Sequence, residues 1–213
     1  MIATILGGIF KYMDTLPPLV LILIAAGKKE LRSSLIFYFL VLQCVLNMYA
    51  NLLTIPNTNN LYIYHYNCLF SFFILSLFYI RLFDTPNTKR IIFGAALLFT
   101  LLFLIDTIYL EPMDQFNSNS FCLAAFILCG YSLYYFMRIF KNPTGTHISM
   151  SRDFWFNTGI FSYYTINFFI FITYNKLTIE KSPLLIYIWQ LHNTIFLIMC
   201  IYFYVGIQCK TND

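Results

Sequence analysis

The positive charges of this chain are unevenly placed, and that placement limits its folds more than any other feature. Seven apolar stretches follow one another with short connections, and the basic residues gather in every second connection. Lys28, Lys29 and Arg32 follow the first stretch, and Arg81, Lys89 and Arg90 follow the third. Arg138, Lys141 and Arg152 follow the fifth, and Lys210 follows the seventh. These are ten of the 13 Lys and Arg residues; Lys11, Lys176 and Lys181 fall on the opposite side. Short loops rich in Lys and Arg stay on the cytoplasmic side of a membrane. The pattern predicts an all-α, polytopic membrane protein. It would be a seven-transmembrane helix bundle with its amino terminus outside and its carboxyl terminus in the cytoplasm.

Composition agrees with that class. Apolar residues make up 60% of the chain and charged residues 10%, with a mean hydropathy of +0.71. A soluble domain carries about 25% charged residues, so this chain lacks the polar residues to cover a water-exposed surface. Seven spans of about 20 residues consume nearly all of the 213 positions. The expectation is a single domain over residues 1–213, with no room for a soluble catalytic, kinase or DNA-binding unit. The net charge of +4 is explained by basic loops facing anionic headgroups, so the lipid bilayer is the expected partner and nucleic acid is not.

The spans are expected at about 9–26, 35–53, 61–82, 91–110, 121–140, 154–174 and 183–207. Lys11 and Asp14 interrupt the first, so it reads as an uncleaved span rather than a signal peptide. Asp14-Thr15-Leu16-Pro17-Pro18 leaves two readings open: a kink in that helix, or a short interfacial segment before the span proper. Pro56 to Asn60 and Glu111 to Ser120 form outer turns, and Lys141 to Asp153, with Pro143, Gly145 and His147, forms the longest inner loop. Tyr62, Tyr64, Tyr66, Tyr202 and Tyr204 fit interfacial belts. Localisation is expected in the plasma (bacterial inner) membrane.

Polar side chains are costly in hydrocarbon, which makes those inside the spans the best pointers to function. Gln43, Asn47 and Asn51 repeat at i, i+4 and i+8 and share one helix face. Tyr64, Asn67, Cys68 and Ser71 make a small polar face on the third span, leaving His65 to turn elsewhere, toward the headgroup layer. Asp106 is an acid within an uninterrupted apolar run. Thr158, Ser162 and Thr165 lie on one stripe of the sixth span, and Tyr163 and Asn167 on another. The seventh span carries Trp189, Gln190, His192, Asn193 and Thr194, with Asn193 facing inward and Gln190 or His192 beside it. Two readings fit each group: hydrogen bonding between helices, or the lining of a cavity. For Asp106 a capping or snorkelling role stands beside a functional one. The topology brings Gln43, Asn47, Asn67, Asp106, Asn167, Trp189, His192 and Asn193 to the outer half. They form a candidate ligand site, an apolar pocket with a few polar groups between spans two, three, six and seven.

Other chemistries are poorly served. No His/Cys cluster has metal-ligand spacing, and no cofactor is expected. The six cysteines fall mostly inside apolar stretches, although Cys68 and Cys122 both lie toward the outside, where one disulfide is conceivable. A retinal pigment would need a lysine within residues 183–207, and a seven-helix zinc hydrolase would need three histidines with a Ser and an Asp at its metal, whereas one of the three histidines present, His147, falls in an inner loop and the last span has no H-x-x-x-H. No nucleophilic triad or phosphate loop is present, so no catalytic residue is assigned.

The stretch Asp153-Phe154-Trp155-Phe156-Asn157-Thr158-Gly159, with Tyr163 following, resembles small uncharacterised bacterial seven-helix membrane proteins. That resemblance implies a sensory module and a signalling partner such as a sensor kinase; the inner loop from Arg138 to Asp153 is the expected contact for it. The expected function is thus a receptor-like sensor of a small or lipidic ligand. The alternative is a small-molecule or lipid transporter using the same cavity; a membrane effector or membrane-embedded hydrolase fits less well.

Overall fold

A computed structural model describes residues 12–54, 59–141 and 148–209. These residues form seven α-helices and no strand. They are α1 (Leu16–Ala26), α2 (Leu35–Thr54), α3 (Leu61–Leu82), α4 (Pro86–Ile105), α5 (Ser118–Lys141), α6 (Arg152–Ile179) and α7 (Leu184–Gln208). A π-helical turn, Asp106–Leu110, continues α4, and a short 3-10 turn, Ile148–Met150, precedes α6. Lys11, the outer turn through Pro56, the loop residues Pro143, Gly145 and His147, and Lys210 lie outside the described residues.

Helix starts follow local chemistry more closely than hydropathy does. Pro17 and Pro18 sit in the first turn of α1, where a missing N–H costs nothing, so the chain enters its helix at Leu16 rather than kinking. Pro86 does the same for α4, whose start lies five residues before the apolar run because Thr88, Lys89 and Arg90 continue the helix into the loop. Ser34 Oγ accepts the Phe37 N–H at 3.1 Å and caps α2. Between α6 and α7, Lys181 takes a left-handed conformation with φ of 50°, a position usually given to glycine after a helix.

Five of the helices are long and apolar enough to cross a membrane: Leu35–Leu53, Leu61–Leu82, Pro86–Leu110, Ser118–Lys141 and Leu184–Gln208. At 11 residues, α1 is about 16 Å long and falls short of a hydrocarbon core of about 30 Å. The 28-residue α6 is long enough, but its Asn, Thr and Ser residues lower its apolar content. Every helix turns large apolar side chains outward, among them Leu23, Val45, Leu77, Leu97, Phe126, Phe169 and Ile201. An apolar surface on all sides belongs in lipid rather than water. The chain is a helical, integral membrane protein.

The helices close on themselves. Contacts run from α1 to α2, α2 to α3, α3 to α5, α5 to α6, α6 to α7, and α7 back to α1, with α4 outside against α3 and α5. The core is aromatic: Phe72 stacks on Phe99 with ring centres 3.9 Å apart, and Phe72, Tyr79, Phe203, Leu75 and Met199 are fully buried. One end of the bundle gathers the ends of α1, α3, α5 and α7 and carries most of the basic residues; it is the basic end below, and the other is the far end. At the basic end Lys28 Nζ donates to Ile207 O at 2.7 Å, clasping the α1–α2 connection to the last turn of α7. Arg138 pairs there with Asp84 at 2.5 Å and holds that carboxyl below its ordinary range.

Two glycines let α6 and α7 approach closely. A Cβ on Gly159 would lie 2.9 Å from the Phe203 ring, and one on Gly206 would lie 2.8 Å from the Phe156 ring and 3.2 Å from the Arg152 carbonyl. Overpacking costs about 1–3 kcal/mol, so Gly206→Val is expected to lower the melting temperature of the purified protein. Gly130 has no neighbour within 4 Å of such a Cβ. Gly130→Ala should instead raise stability by about 0.5–1 kcal/mol through helix propensity alone. Equal behaviour of the two variants in thermal unfolding would contradict this packing.

Candidate functional site

Polar residues at the far end divide into three groups. The first joins α2 to α3. Gln43 Nε2 donates to Asn67 Oδ1 at 2.8 Å and to Ser71 Oγ at 2.7 Å. Asn67 Nδ2 returns a bond to Gln43 Oε1 at 3.3 Å, and Ser71 donates to Asn67 Oδ1 at 2.8 Å. The two amides and the hydroxyl close a ring in which each is held by another.

The rest of the α2 stripe goes elsewhere. Asn47 Nδ2 donates to the Asp14 backbone oxygen at 3.1 Å, and Asn51 Nδ2 donates to Asp14 Oδ1 at 3.2 Å. Thr15 Oγ1 also donates to that carboxylate oxygen, at 2.9 Å. Because α1 is short, the turn before it sits beside α2 within the bundle, and this brings an acid to the same depth as the amides.

The second group joins α6 to α7. Asn167 Nδ2 donates to the Tyr163 carbonyl one turn back at 2.8 Å, which fixes the amide's orientation. Its Oδ1 lies 2.5 Å from His192 Nδ1. An amide oxygen can only accept, so Nδ1 carries the proton, and in a neutral imidazole Nε2 is left as an acceptor. Trp189 stacks on this ring, 4.9 Å away at 22°.

These two groups meet at a small cavity of about 30 Å³. Gln43, Asn47, Asn67 and Ser71 line it from α2 and α3, and Tyr163, Tyr164 and Phe171 from α6. Trp189, His192, Asn193 and Phe196 line it from α7, with Asp14, Phe39, Tyr64, Phe116 and Phe121 completing the wall. The space is large enough to hold a water molecule and far too small for a drug-sized ligand. Phe116, on the connection before α5, covers it: its ring packs on Tyr174 at 4.4 Å, Phe121 at 5.5 Å, Tyr64 at 5.6 Å and Trp189 at 6.3 Å.

The third group pins the connection that carries Phe116. Asp106 accepts from Asn119 Nδ2 at 3.0 Å and from Ser120 Oγ at 2.6 Å, tying the π turn to the start of α5. The Glu111 N–H bonds the Asp106 carbonyl at 2.8 Å, five residues back, which makes the turn a π turn. Glu111 Oε2 accepts the Asn119 backbone N–H at 2.9 Å, and its Oε1 accepts from Asn175 on α6. His65 is fully buried, with Nε2 3.0 Å from the Gln115 carbonyl. That corrects its expected place in the headgroup layer: the connection folds down over α3 and covers it.

Six of the eight residues expected from the sequence border the cavity: Gln43, Asn47, Asn67, Trp189, His192 and Asn193. Asn167 stands behind, orienting His192, while Asp106 faces α5 and does not line it. Gln190 is also off the cavity, and Cys68 packs in the core. All six cysteines are free, so the conceivable Cys68–Cys122 disulfide is not formed. Thr158 and Ser162 bond carbonyls one turn back on α6, at 2.7 and 2.8 Å. Sequence reasoning missed Asp14 and the aromatic wall; the Pro-Pro start of α1 was the available signal for the first. It also missed a buried network nearer the basic end. There Tyr79 donates to Asn157 Oδ1 at 2.8 Å and so accepts from Ser132 Oγ at 2.6 Å. Among the described residues no group of three His, Cys, Asp or Glu is placed to hold a metal ion. No family model, curated protein or solved structure matches this chain.

Two measurements follow from these networks. Asn67→Leu leaves Gln43 Oε1 without its donor and the Ser71 hydroxyl without its acceptor, and a buried unsatisfied group costs about 1–3 kcal/mol. Replacing both Gln43 and Asn67 by Leu should recover part of that loss in thermal unfolding; a double variant weaker than the sum of the singles would contradict the ring. Burial pushes the Glu111 carboxyl up to about 7, opposed by the Asn119 N–H and reinforced by the nearby Asp106. A carboxyl whose folded-state pKa exceeds its ordinary 4.5 adds stability at low pH, and that stability is lost as pH rises from about 4.5 to about 7. The melting temperature should therefore fall across that interval, and Glu111→Gln should flatten the fall.

Proposed function

We propose that this protein is a receptor-like sensor of the plasma membrane that binds a small ligand in the far-end cavity and signals through its basic end. In this reading all seven helices cross the bilayer, with the amino terminus outside and the carboxyl terminus in the cytoplasm, as the concentration of Lys and Arg at one end favours. α1 crosses together with the turn that precedes it, and α6 crosses with its polar face turned inward. The far end then faces outward and the cavity is entered from outside.

One observation carries the reading: hydrogen-bonding groups of four different types converge on one small aromatic-walled space. Asp14 brings a carboxyl, Asn47 and Gln43 bring amides, Ser71 a hydroxyl and His192 an imidazole. Such a wall suits a ligand with a donor-rich or cationic head and a flat apolar body. Ligand pockets for drug-sized molecules span about 300–1,000 Å³, so a ligand of that size enters only as Phe116 and Trp189 give way. α7 is the output element. It carries Trp189 and His192 at the cavity and runs unbroken to the Lys28 clasp at the basic end, in close contact with α6 along the way. The signalling partner would meet the basic end between α5 and α6.

The purified protein in liposomes tests the proposal with a panel of small amines, amides and fatty-acid derivatives. The expected result is a compound that raises the melting temperature of the parent, has no such effect on Asn47→Ala or His192→Ala, and is not carried across the bilayer. Flux of that compound without a partner would replace sensing by transport. A reporter fused after Asp213 that is active only outside the cytosol would overturn the orientation.

A further inference from the structure

A second cavity lies at the basic end, about 290 Å³ in volume, between the first turn of α2, the last turn of α3 and the first turn of α6. It is separate from the far-end cavity and does not depend on the receptor reading. Ser34, Arg81, Arg152 and Asp153 supply its polar lining, and Phe78 and Phe156 part of its apolar wall. Two helices begin at its edge, α2 at Leu35 and α6 at Arg152, and helix starts present partial positive charge and unpaired N–H groups.

Arg152 is the informative residue. Its side chain is 12% exposed, yet its Nε is buried with no hydrogen-bond partner. Its Nη2 lies 3.6 Å from Glu30 Oε2, on a side chain that is itself 73% exposed. A committed guanidinium–carboxylate bond is about 2.7–2.9 Å long, so this guanidinium still has donors to give. Arg81 adds a second positive charge at the end of α3, and Asp153 supplies one negative charge in the lining. Within the lining two guanidinium groups face one carboxylate, and Glu30, which offsets Arg152 from outside the lining, is largely in solvent, so the positive bias of the wall rests on Arg81, Arg152 and the helix starts together.

We infer that this cavity binds a phosphate group, held by Arg81 at the end of α3 and Arg152 at the start of α6, beside the start of α2. Guanidinium groups take phosphate oxygens two at a time, which a lysine cannot reproduce. The phosphate belongs to the headgroup of an anionic lipid, whose glycerol end meets Phe78 and Phe156, or to a soluble phosphate.

The full chain, exchanged into phosphatidylcholine nanodiscs with and without phosphatidylglycerol, separates these sources. Lipid retained after transfer to detergent is counted by native mass spectrometry, and thermal unfolding is followed with inorganic phosphate against chloride at equal ionic strength. The parent is expected to keep phosphatidylglycerol in preference to phosphatidylcholine, and Arg152→Gln and Arg81→Gln to weaken that preference about tenfold each, as loss of a charged hydrogen bond would. Arg152→Lys should restore only part of it. Retention that added phosphate does not reverse assigns a lipid headgroup. Stabilisation by phosphate without lipid retention assigns a soluble phosphate. Arg81 is exposed, so its variant remains informative if Arg152→Gln does not fold. Arg90 lies at the same end but outside the cavity. If Arg81→Gln behaves as the parent in both assays, or Arg90→Gln loses as much as Arg81→Gln, the site is wrong.

Discussion

A polar side chain inside an apolar bundle must find its partner within the protein, because no water is at hand to take the partner's place. Most of the far end follows from that requirement. Gln43, Asn67 and Ser71 satisfy one another across α2 and α3, and Asn167 satisfies both its own helix and His192. Asp106 and Glu111 use the first N–H and side-chain groups of α5. Each network also sets a position: the first fixes α2 against α3, the second fixes the tautomer of His192, and the third fixes the connection bearing Phe116. The cavity is what remains where the three arrangements meet.

How much of this could be read from the sequence differs from residue to residue. Hydropathy and the spacing of Gln43, Asn47 and Asn51 identified α2 and its polar face, because a stripe at i, i+4, i+8 has no other explanation on a helix. They did not identify the partners, which divide between α3 and the turn before α1. That division depends on the shortness of α1, decided by where Pro17 and Pro18 allow a helix to begin. Asp106 looked like a cavity residue because depth along a span is legible and rotation within a π turn is not. Phe116 is one of 24 phenylalanines, and nothing in its neighbours distinguished a lid from a core residue. Hydropathy also marks where an apolar run begins rather than where a helix begins. For that reason α4 and α5 extend beyond the expected spans, and α6 reaches from Arg152 to Ile179 instead of stopping near 174.

One tightly packed pair of helices runs between the two ends. Gly159 and Gly206 let α6 and α7 approach so closely that Phe203 and Phe156 fill the space a side chain would take. His192 lies on this pair toward the far end, and the start of α6 with Arg152 lies at the basic end. The tight pair thus connects the small aromatic cavity with the larger basic one, through the buried side chains of Phe196, Met199 and Phe203.

The 28 residues of α6 have a consequence of their own. They make a rod about 42 Å long, roughly 12 Å more than the hydrocarbon of an ordinary bilayer. In the proposed topology, where α6 crosses the bilayer, such a surplus is absorbed by leaning the rod or by letting its last two turns, where Ile179 is 82% exposed, stand clear of the lipid. The balance between those responses shifts with bilayer thickness. In that topology a thinner membrane would lean α6 further, and α7, packed closely against it, would be the helix to follow.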